Sequence, residues 1–377
     1  MGQRDSEPFE GLGYYGRDHH TALEAQRAAA AIVYGPVVFQ TSRLLVKRGV
    51  LEAIAGQPAG LTTEALEAST HLSGYALRLL LESGLTAGVV LFRDGRWLLG
   101  KIGWFLLRSP QLQVDMDFMQ DVCYRGLHEL EASCETGRPE GLSTLGPWAT
   151  IYEGLSSLPE PAKRSWFAFD HFYSDVTYQE VLPLLFAQPL RHILDVGGNT
   201  GLFARQCVEY DAQVEVTVFD LPPQLEMLRE SSSGHPSVGR IHLVGGDVLA
   251  GAGTLRPAEV LSAAEQALPP VELVWMSQFL DCFSPAEVLR ILQRAQATLG
   301  PTGRIAILEP LWDRQRFETS AFSLTQISPY FAALANGCSK FFGLAELQGL
   351  VEQAGLRVRA QHDGLGMGHT LLLCERS

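Results

Sequence analysis

A glycine-rich turn is the stretch of this sequence that is best suited to bind a ligand. Residues 192–194 form a short apolar run that predicts a buried strand, residues 195–201 read Asp-Val-Gly-Gly-Asn-Thr-Gly, and residues 202–208 have helical spacing. Glycines lack the Cβ atoms that would keep a ligand away from the main chain, so this order suits a nucleotide cofactor. A plain tight turn is the alternative. The candidate cofactor-binding residues here are Asp195, Gly197, Gly198, Asn199 and Gly201.

Acidic and polar residues at the ends of other predicted strands support a cofactor site. The next strand, residues 214–219, is followed by Asp220, about 25 residues after Asp195, where a carboxylate could bind ribose hydroxyls. Later predicted strands end at Asp247, Ser277 and Glu309. Because the carboxyl ends of parallel strands meet at one edge of a sheet, we expect these side chains to share one site.

An aromatic stretch, residues 166–175, is a candidate wall for a substrate pocket. It holds Trp166, Phe167, Phe169, Phe172 and Tyr173, together with a histidine. Aromatic rings with polar tips suit contact with a cofactor or an aromatic substrate, whereas the alternative is a helix that merely covers the second domain. The candidate substrate-binding residues are Phe169, Tyr173, Gln278 and Phe279, and the candidate proton acceptor is His171.

The C-terminal half alternates between predicted strands and helices, which indicates an α/β fold with a Rossmann-like, doubly wound sheet. Two of the predicted helices are residues 285–298 and 344–354, and residues 248–270 predict a surface insertion with a short helix around 257–267. The predicted strands after residue 220 are residues 240–247, 271–277, 304–309, 356–360 and 369–374.

The N-terminal part predicts a mainly helical domain. The alanine-rich run 21–33 favours a helix, and residues 37–54, 62–69 and 73–84 predict three more. Residues 88–99 predict a β-hairpin with Asp-Gly at its tip, and three helices followed by a hairpin are typical of a winged helix. The third of these helices offers Arg78 as its only basic residue, which favours dimerisation over DNA binding.

Length and composition limit the class of protein. A chain of 377 residues predicts more than one domain, and we place the divisions at 1–109, 110–185 and 186–377. The net charge of −13 argues against binding to nucleic acid or to an anionic membrane surface. Six scattered cysteines without a C-x-x-C pair, and an N-terminus without an apolar signal core, predict a cytoplasmic protein with reduced thiols. No metal site is expected, because adjacent His19 and His20 would point apart on a helix.

Together these residues resemble class I S-adenosylmethionine-dependent methyltransferases, and more narrowly the small-molecule O-methyltransferases with an N-terminal winged-helix dimerisation domain. The resemblance covers about residues 35–375. It implies that residues 195–201 contact the methionine part of the cofactor, that Asp220 and Leu221 contact the ribose, and that Asp247 and Val248 lie beside the adenine, with Ser277 also at the site. Asn199 stands where many members have glycine, and asparagine tolerates left-handed backbone angles.

The resemblance also implies function. S-adenosyl-L-methionine would be the cofactor and S-adenosyl-L-homocysteine its product, and the protein would form a homodimer through its N-terminal domain. The acceptor would be a small aromatic compound of phenolic type, either free or attached to a carrier protein. A role in secondary metabolism would follow.

The expected catalytic residues depart from the family pattern. Members that methylate phenol oxygens have His-Asp-Trp after the fourth strand, with the histidine as general base and two glutamates orienting it; this sequence has Asp281-Cys282-Phe283 there. Glu309 matches the first glutamate, whereas the second would fall near Phe341. Asp281 could act as the base if burial raised its pKa. The other candidate proton acceptors are His171, His19 and His20.

These departures leave several functions open. Methyl transfer to a phenol oxygen agrees with the family, whereas transfer to an activated ring carbon requires mainly alignment and only a modest proton acceptor. A non-catalytic scaffold that binds the cofactor is a third hypothesis, and a DNA-binding regulator is a fourth. A dinucleotide oxidoreductase is disfavoured because the glycine spacing is not G-x-G-x-x-G.

Overall fold

The computed structural model describes residues 11–174, 176–232, 239–256 and 261–377, which form two compact units. Residues 17–120 make up one unit, and residues 11–16 together with 121–377 make up the other. The segment 110–120, which we predicted to begin a connecting region, folds with the first unit.

The first unit is a helical domain with a small hairpin. Its helices are α1 (Ala22–Val33), α2 (Gly35–Lys47), α3 (Val50–Ala55), α4 (Thr63–Thr70), α5 (Gly74–Thr86), α6 (Lys101–Arg108) and α7 (Pro110–Phe118), and its strands are β1 (Val90–Arg93) and β2 (Arg96–Leu99). Leu51, Leu77 and Leu81 lie in one core with Trp97 of the hairpin, which agrees with the predicted winged-helix arrangement.

Two local features of this unit follow from glycine and from capping. The hairpin turns at Asp94 and Gly95, which both have positive φ, as a two-residue turn of this kind requires. The single helix predicted over residues 37–54 is wrong, because Gly49 adopts a left-handed conformation with φ of 74° and separates α2 from α3. Thr21, by contrast, closes a capping box with Glu24 at the start of α1.

The second unit is built on a sheet of seven strands in the order β5-β4-β3-β6-β7-β9-β8. Strands β3 to β7 are parallel, and β9 runs antiparallel to β7 and to β8. The strands are β3 (His192–Val196), β4 (Glu215–Asp220), β5 (Ile241–Gly245), β6 (Val271–Ser277), β7 (Leu299–Glu309), β8 (Leu356–Leu365) and β9 (His369–Arg376). The predicted doubly wound sheet is therefore confirmed.

Helices cover both faces of this sheet, so its central strands are buried on both sides and read as nearly continuous apolar runs. In chain order the helices of this unit are α8 (Tyr124–Gly126), α9 (Leu130–Thr136), α10 (Ile151–Gly154), α11 (Ala162–Ser174), α12 (Tyr178–Leu185), α13 (Leu202–Tyr210), α14 (Pro222–Ser232), α15 (Ala263–Gln266), α16 (Pro285–Thr298), α17 (Glu318–Tyr330) and α18 (Leu344–Gln353). Of the insertion helix predicted around 257–267, residues 257–260 lie outside the described residues, and α15 occupies the later part.

Shorter helical segments connect these elements. A 3-10 turn, Leu280–Cys282, lies between β6 and α16, and a π-helical segment, Phe331–Ala335, follows α17. In the described ranges, no single helix is long and apolar enough to cross a bilayer, although α1 and α2 together, bent by 75°, reach that length and composition.

Candidate active site

A cavity of about 420 Å³ lies at the carboxyl ends of β3, β4 and β6. The strand order reverses on the two sides of β3, since β4 lies on one side of it and β6 on the other. Doubly wound sheets bind ligands at such a crossover. Most of the predicted cofactor-binding residues line this cavity: Asp195, Gly197, Gly198, Asn199, Asp220, Leu221, Asp247, Val248 and Ser277.

Gly201 has a different role from the one we predicted. It is not among the residues that line the described cavity; it is buried at the start of α13 with φ of 73°. A side chain there would be strained by the backbone angle and would meet Leu228. Gly201 therefore allows the chain to enter α13 and does not contact the cavity.

Asp195 is a buried carboxylate in the wall of the cavity. Its side chain is 2% exposed, and its Oδ2 atom has no hydrogen-bond partner among the described residues. Burial raises the pKa of Asp195 to about 8, and the negative charge of Asp220 adds to this effect. A Cβ atom on Gly198 would lie 2.7 Å from Oδ2, so a side chain at this position would displace the Asp195 carboxylate.

Asp220 holds the glycine turn against β4. Its Oδ2 accepts the backbone N–H of Asn199 at 2.9 Å, and its Oδ1 accepts the backbone N–H of Leu221 at 2.7 Å. Burial raises the pKa of Asp220, and these two hydrogen bonds oppose the rise. Each carboxylate oxygen has a second lone pair, so Asp220 can still accept hydrogen bonds from a ligand.

Helix α11 supplies the opposite wall of the cavity. Trp166, Asp170 and His171 line it, whereas the predicted contacts Phe169 and Tyr173 are not among its lining residues in the described part of the chain. Residues four apart share a helix face, so Trp166 and Asp170 face the cavity together. The rings of Phe169 and Tyr173 instead pack on each other, with their centroids 4.9 Å apart.

The turn after β6 brings further side chains to the cavity. Gln278 and Phe279, both predicted, line it together with Cys282. Asp281 is 4% exposed and lies behind this wall, where its Oδ1 accepts a hydrogen bond from the Cys282 thiol at 3.4 Å. Burial raises the pKa of Asp281 to about 7 and keeps the pKa of the Cys282 thiol well above its usual value.

Glu309 holds this turn through hydrogen bonds to its backbone. Its Oε1 accepts the backbone N–H groups of Phe279 at 3.0 Å and of Leu280 at 2.8 Å. Burial and the neighbouring Asp281 raise the pKa of Glu309. Neither Asp281 nor Glu309, which we predicted to be catalytic, lines the described cavity, and Glu309 holds the turn that carries Phe279 and Cys282.

Asn336 is a site residue that the sequence reasoning missed. It lines the cavity, and its Nδ2 donates to the carbonyl oxygen of Cys282 at 2.5 Å. Phe341, where the family's second glutamate would fall, packs instead against Phe331. The Asn336-Gly337 pair is a turn signal after an apolar segment and could have drawn attention to this position. The cavity residues Tyr152 and Gln224 were also missed.

The other predicted candidates lie elsewhere. His19 and His20 belong to the first unit, where His20 pairs with Asp18 at 3.1 Å. Among the residues that the structure describes, no group of three or more His, Cys, Asp or Glu side chains could hold a metal ion.

Comparison with known proteins identifies the family. A family model described as an O-methyltransferase domain matches residues 162–357, more than half of the chain, and one described as a Dimerisation2-like domain matches residues 26–97. The chain belongs to the O-methyltransferase family. It is an enzyme, and S-adenosylmethionine is its methyl donor.

Individual relatives of this methyltransferase are distant. It is 21% identical over 330 residues to L-tyrosine C(3)-methyltransferase of Streptomyces lavendulae, covering 86% of this chain and 85% of that protein. It is 26% identical over 310 residues to demethylspheroidene O-methyltransferase of Cereibacter sphaeroides, covering 81% and 76%. The O-methyltransferase NcsB1, solved with S-adenosylmethionine and 2-hydroxy-5-methyl naphthoic acid, has a TM-score of 0.65 at 20% identity, covering 96% and 100%.

The cavity fits the cofactor of this methyltransferase. Several polar atoms in its wall are buried without a partner among the described residues, namely Asp195 Oδ2, Gln224 Oε1, Ser277 Oγ and Gln278 Nε2. Buried polar groups are normally hydrogen-bonded, so these atoms indicate a polar ligand. The ammonium, hydroxyl and carboxylate groups of S-adenosylmethionine supply both donors and acceptors for them.

Replacement of Asp220 tests the cofactor site. Asp220→Ala removes the acceptor for two backbone N–H groups and for the ribose hydroxyls, so we expect the Kd for S-adenosylhomocysteine to rise by about 100-fold or more. Isothermal titration calorimetry measures this change. Glu226→Ala, an exposed change on α14, should leave the Kd unaltered. An unchanged Kd for Asp220→Ala would contradict the assignment.

Replacement of Asp195 tests its buried state in the ligand-free enzyme. The pKa is about 8 in the folded protein and near the ordinary 3.8 in the unfolded chain. The unfolded chain therefore binds fewer protons between these values, and the free energy of unfolding falls as pH rises through this window. Asparagine does not ionise, so the free energy of unfolding of Asp195→Asn minus that of wild type should increase between pH 5 and pH 9, by on the order of 4 kcal/mol. A pH-independent difference in urea titrations would count against this state.

Proposed function

We propose that this methyltransferase acts on a small aromatic acceptor that carries a hydroxyl group, and that it methylates the oxygen. The observation that carries this proposal is that one cavity combines the cofactor carboxylates with the aromatic, histidine-bearing face of α11. Aromatic rings at the cavity wall, among them Tyr152, Trp166 and Phe279, favour a flat aromatic ligand over an aliphatic one.

His171 is the proposed proton acceptor. It is the one histidine among the residues that line the described cavity, and its ring stacks on Phe167 at 6.3 Å, which limits its orientation. When bound, S-adenosylmethionine supplies an electrophilic methyl group on a sulfonium. The task of the chain is to align the acceptor hydroxyl and to remove its proton, and general bases contribute about 100- to 10,000-fold to such steps.

A second candidate is methyl transfer to a ring carbon beside the hydroxyl. Two observations favour it: Asp281 and Cys282 stand where phenol-methylating members have their catalytic motif, and the relative from Streptomyces lavendulae bears the name of a tyrosine C-methyltransferase. Such a transfer needs a proton acceptor for the ring hydrogen, for which His171 is again available.

The charge of the cavity favours neutral or cationic acceptors. No lysine or arginine is among its lining residues in the described ranges, whereas the carboxylates there are Glu153, Asp170, Asp195, Asp220, Asp247 and Glu287. An acceptor with a free carboxylate would be repelled, because like charges interact strongly in a cavity of low dielectric. We therefore propose that a phenolic amine, or an amino acid whose carboxyl group is masked as an amide or a carrier thioester, is preferred over a phenolic acid.

The atom that receives the methyl group decides between the two candidates. The enzyme is incubated with S-adenosylmethionine labelled with carbon-13 in its methyl group and with tyramine, tyrosine, tyrosine amide or 4-hydroxyphenylacetate. We expect NMR to find an O-methyl product, with the amine and the amide consumed faster than the two carboxylates. A ring-methyl product selects the second candidate, and failure to methylate any phenol in a wider panel rejects both.

Removal of the proposed base gives an independent measurement. His171→Gln keeps a polar side chain but cannot take up the proton, so we expect kcat to fall by about 100-fold or more with little change in the Kd for S-adenosylhomocysteine. His128→Gln, at an exposed position, serves as the control. A kcat within threefold of wild type would exclude His171 as the base.

We also propose that the protein is a cytoplasmic homodimer. Helix α1 buries none of its residues within the chain, and Leu23, Ile32 and Val33 are 76%, 79% and 72% exposed. Residues 26–97 match a dimerisation domain, so a second copy of the chain is the partner that would cover this face. All six cysteines are free thiols, which suits a reducing compartment, and the acidic charge argues against a nucleic-acid partner.

Charge placed on α1 tests the dimer. The double variant Leu23→Asp with Ile32→Asp introduces two carboxylates into the proposed interface, which should convert the protein to monomers in light scattering after size exclusion. Tyr210→Glu, at a site 52% exposed on the second unit, should remain dimeric. A wild-type protein that is monomeric at micromolar concentration would refute the dimer.

A further inference from the structure

Asn199 joins the two walls of the cavity. Its backbone N–H donates to Asp220 Oδ2 at 2.9 Å, and its side-chain Nδ2 donates to Asp170 Oδ2 at 3.0 Å. Asp220 ends β4 on the cofactor side, and Asp170 lies on α11, on the acceptor side. One residue therefore touches the carboxylate that binds the ribose and the helix that carries Trp166 and His171.

The choice of asparagine at this position is informative. Asn199 has φ of 47°, a left-handed conformation in which glycine is unstrained. A glycine would make the same backbone hydrogen bond to Asp220, so the turn itself does not need a side chain. Asparagine is one of the few other residues that adopt this conformation readily, and it alone of the two can reach Asp170.

The position of Asp170 on α11 connects this hydrogen bond to the residues of the acceptor wall. Asp170 lies one turn after Trp166 and directly before His171, and all three side chains line the cavity. An amide that donates to a carboxylate forms a charge-assisted bond, which is stronger and shorter than a neutral one. A shift of α11 away from the glycine turn would break this bond and would move the aromatic wall and the proposed base together.

We propose that Asn199 is a positioning residue that couples the cofactor turn to α11, so that a bound cofactor holds the acceptor wall in place. The ligand contacts Asp220, Asp220 fixes the backbone of Asn199, and the Asn199 side chain fixes Asp170. Acceptor binding therefore becomes tighter once the cofactor is bound, and by linkage the acceptor tightens cofactor binding by the same factor. The role of the wall in acceptor binding rests on the proposed function, whereas the coupling itself does not.

Hydrogen exchange of α11 measures the coupling without any acceptor. Three variants are compared with wild type, each with and without saturating S-adenosylhomocysteine. Asn199→Gly can keep the backbone conformation but removes the side-chain hydrogen bond to Asp170, which we call the tether. Asn199→Asp keeps the shape of the side chain but places a second carboxylate against that of Asp170. The double variant Asn199→Asp with Asp170→Asn exchanges the two groups and can rebuild the bond with its polarity reversed.

The expected result distinguishes loss of the Asn199–Asp170 hydrogen bond from a general loosening of the turn. In wild type, S-adenosylhomocysteine should slow amide exchange across residues 162–174. In both single variants this protection should be at least fivefold weaker. The double variant should regain most of it. Calorimetry gives the Kd of each variant for S-adenosylhomocysteine, so that every exchange experiment is run with the site saturated. Asn199→Gly makes the turn more flexible, whereas Asn199→Asp does not. If both variants lose the same protection, the cause is the lost hydrogen bond between Asn199 and Asp170 and not a change in turn flexibility.

Kinetics supply the second arm. With an acceptor that the wild type methylates, Asn199→Gly should raise the acceptor KM about tenfold, the loss expected for one charge-assisted hydrogen bond, and change kcat by less than threefold. Unaltered protection of α11 in both single variants, or no recovery in the double variant, overturns the proposal. If no aromatic acceptor is methylated, the proposed function fails while the exchange experiment still decides the coupling.

Discussion

The hydrogen bonds from Asn199 and Leu221 to the Asp220 carboxylate hold the site together. The Asn199 bond fastens the glycine turn after β3 to the tip of β4, the Leu221 bond orients the carboxylate, and Gly198 leaves room for the Asp195 side chain because it has none of its own. The parallel pairing of β3 with β4 continues into the turn through the backbone hydrogen bond from Gly197 to Phe219, and the Asn199 bond to the Asp220 carboxylate extends this attachment. The carboxylate converts this attachment into a fixed pocket for a ligand with hydroxyl groups.

The cofactor half of the site was largely predictable from the sequence. A parallel sheet places the carboxyl ends of its strands at one edge whatever the details of packing, so side chains at Asp195, Asp220, Asp247 and Ser277 had to converge once the strands were recognised. The strands were recognisable because both faces of the sheet are covered, which requires long apolar runs in the sequence. Local chemistry and topology therefore point to the same conclusion here.

The acceptor half was much less predictable, because it depends on which face of a helix turns inward and on long-range contacts. The aromatic stretch on α11 predicts a pocket wall, but its sequence does not show that Trp166 and Asp170, and not Phe169 and Tyr173, line the cavity. Nothing in the local pattern fixes the rotation of that helix. The same holds for Glu309, whose place at a strand end suggested chemistry although its carboxylate holds two backbone N–H groups of the neighbouring turn.

The buried carboxylates of this site are costly in the free protein, and the proposed preference for a neutral or cationic acceptor rests on them. Burial raises the pKa of Asp195 and of Asp281, which means that the fold disfavours their ionised forms.

A cation in the cavity stabilises the ionised forms, and S-adenosylmethionine brings both a sulfonium and an ammonium. After methyl transfer the product has lost the sulfonium charge, so the same carboxylates bind it less strongly than the methyl donor. An acceptor with its own positive charge would be attracted by the ionised carboxylates on the α11 side of the cavity, such as Asp170, whereas an anionic acceptor would be repelled by them. In the proposed function, the carboxylates that attract the sulfonium and ammonium groups of the cofactor therefore also disfavour an anionic acceptor.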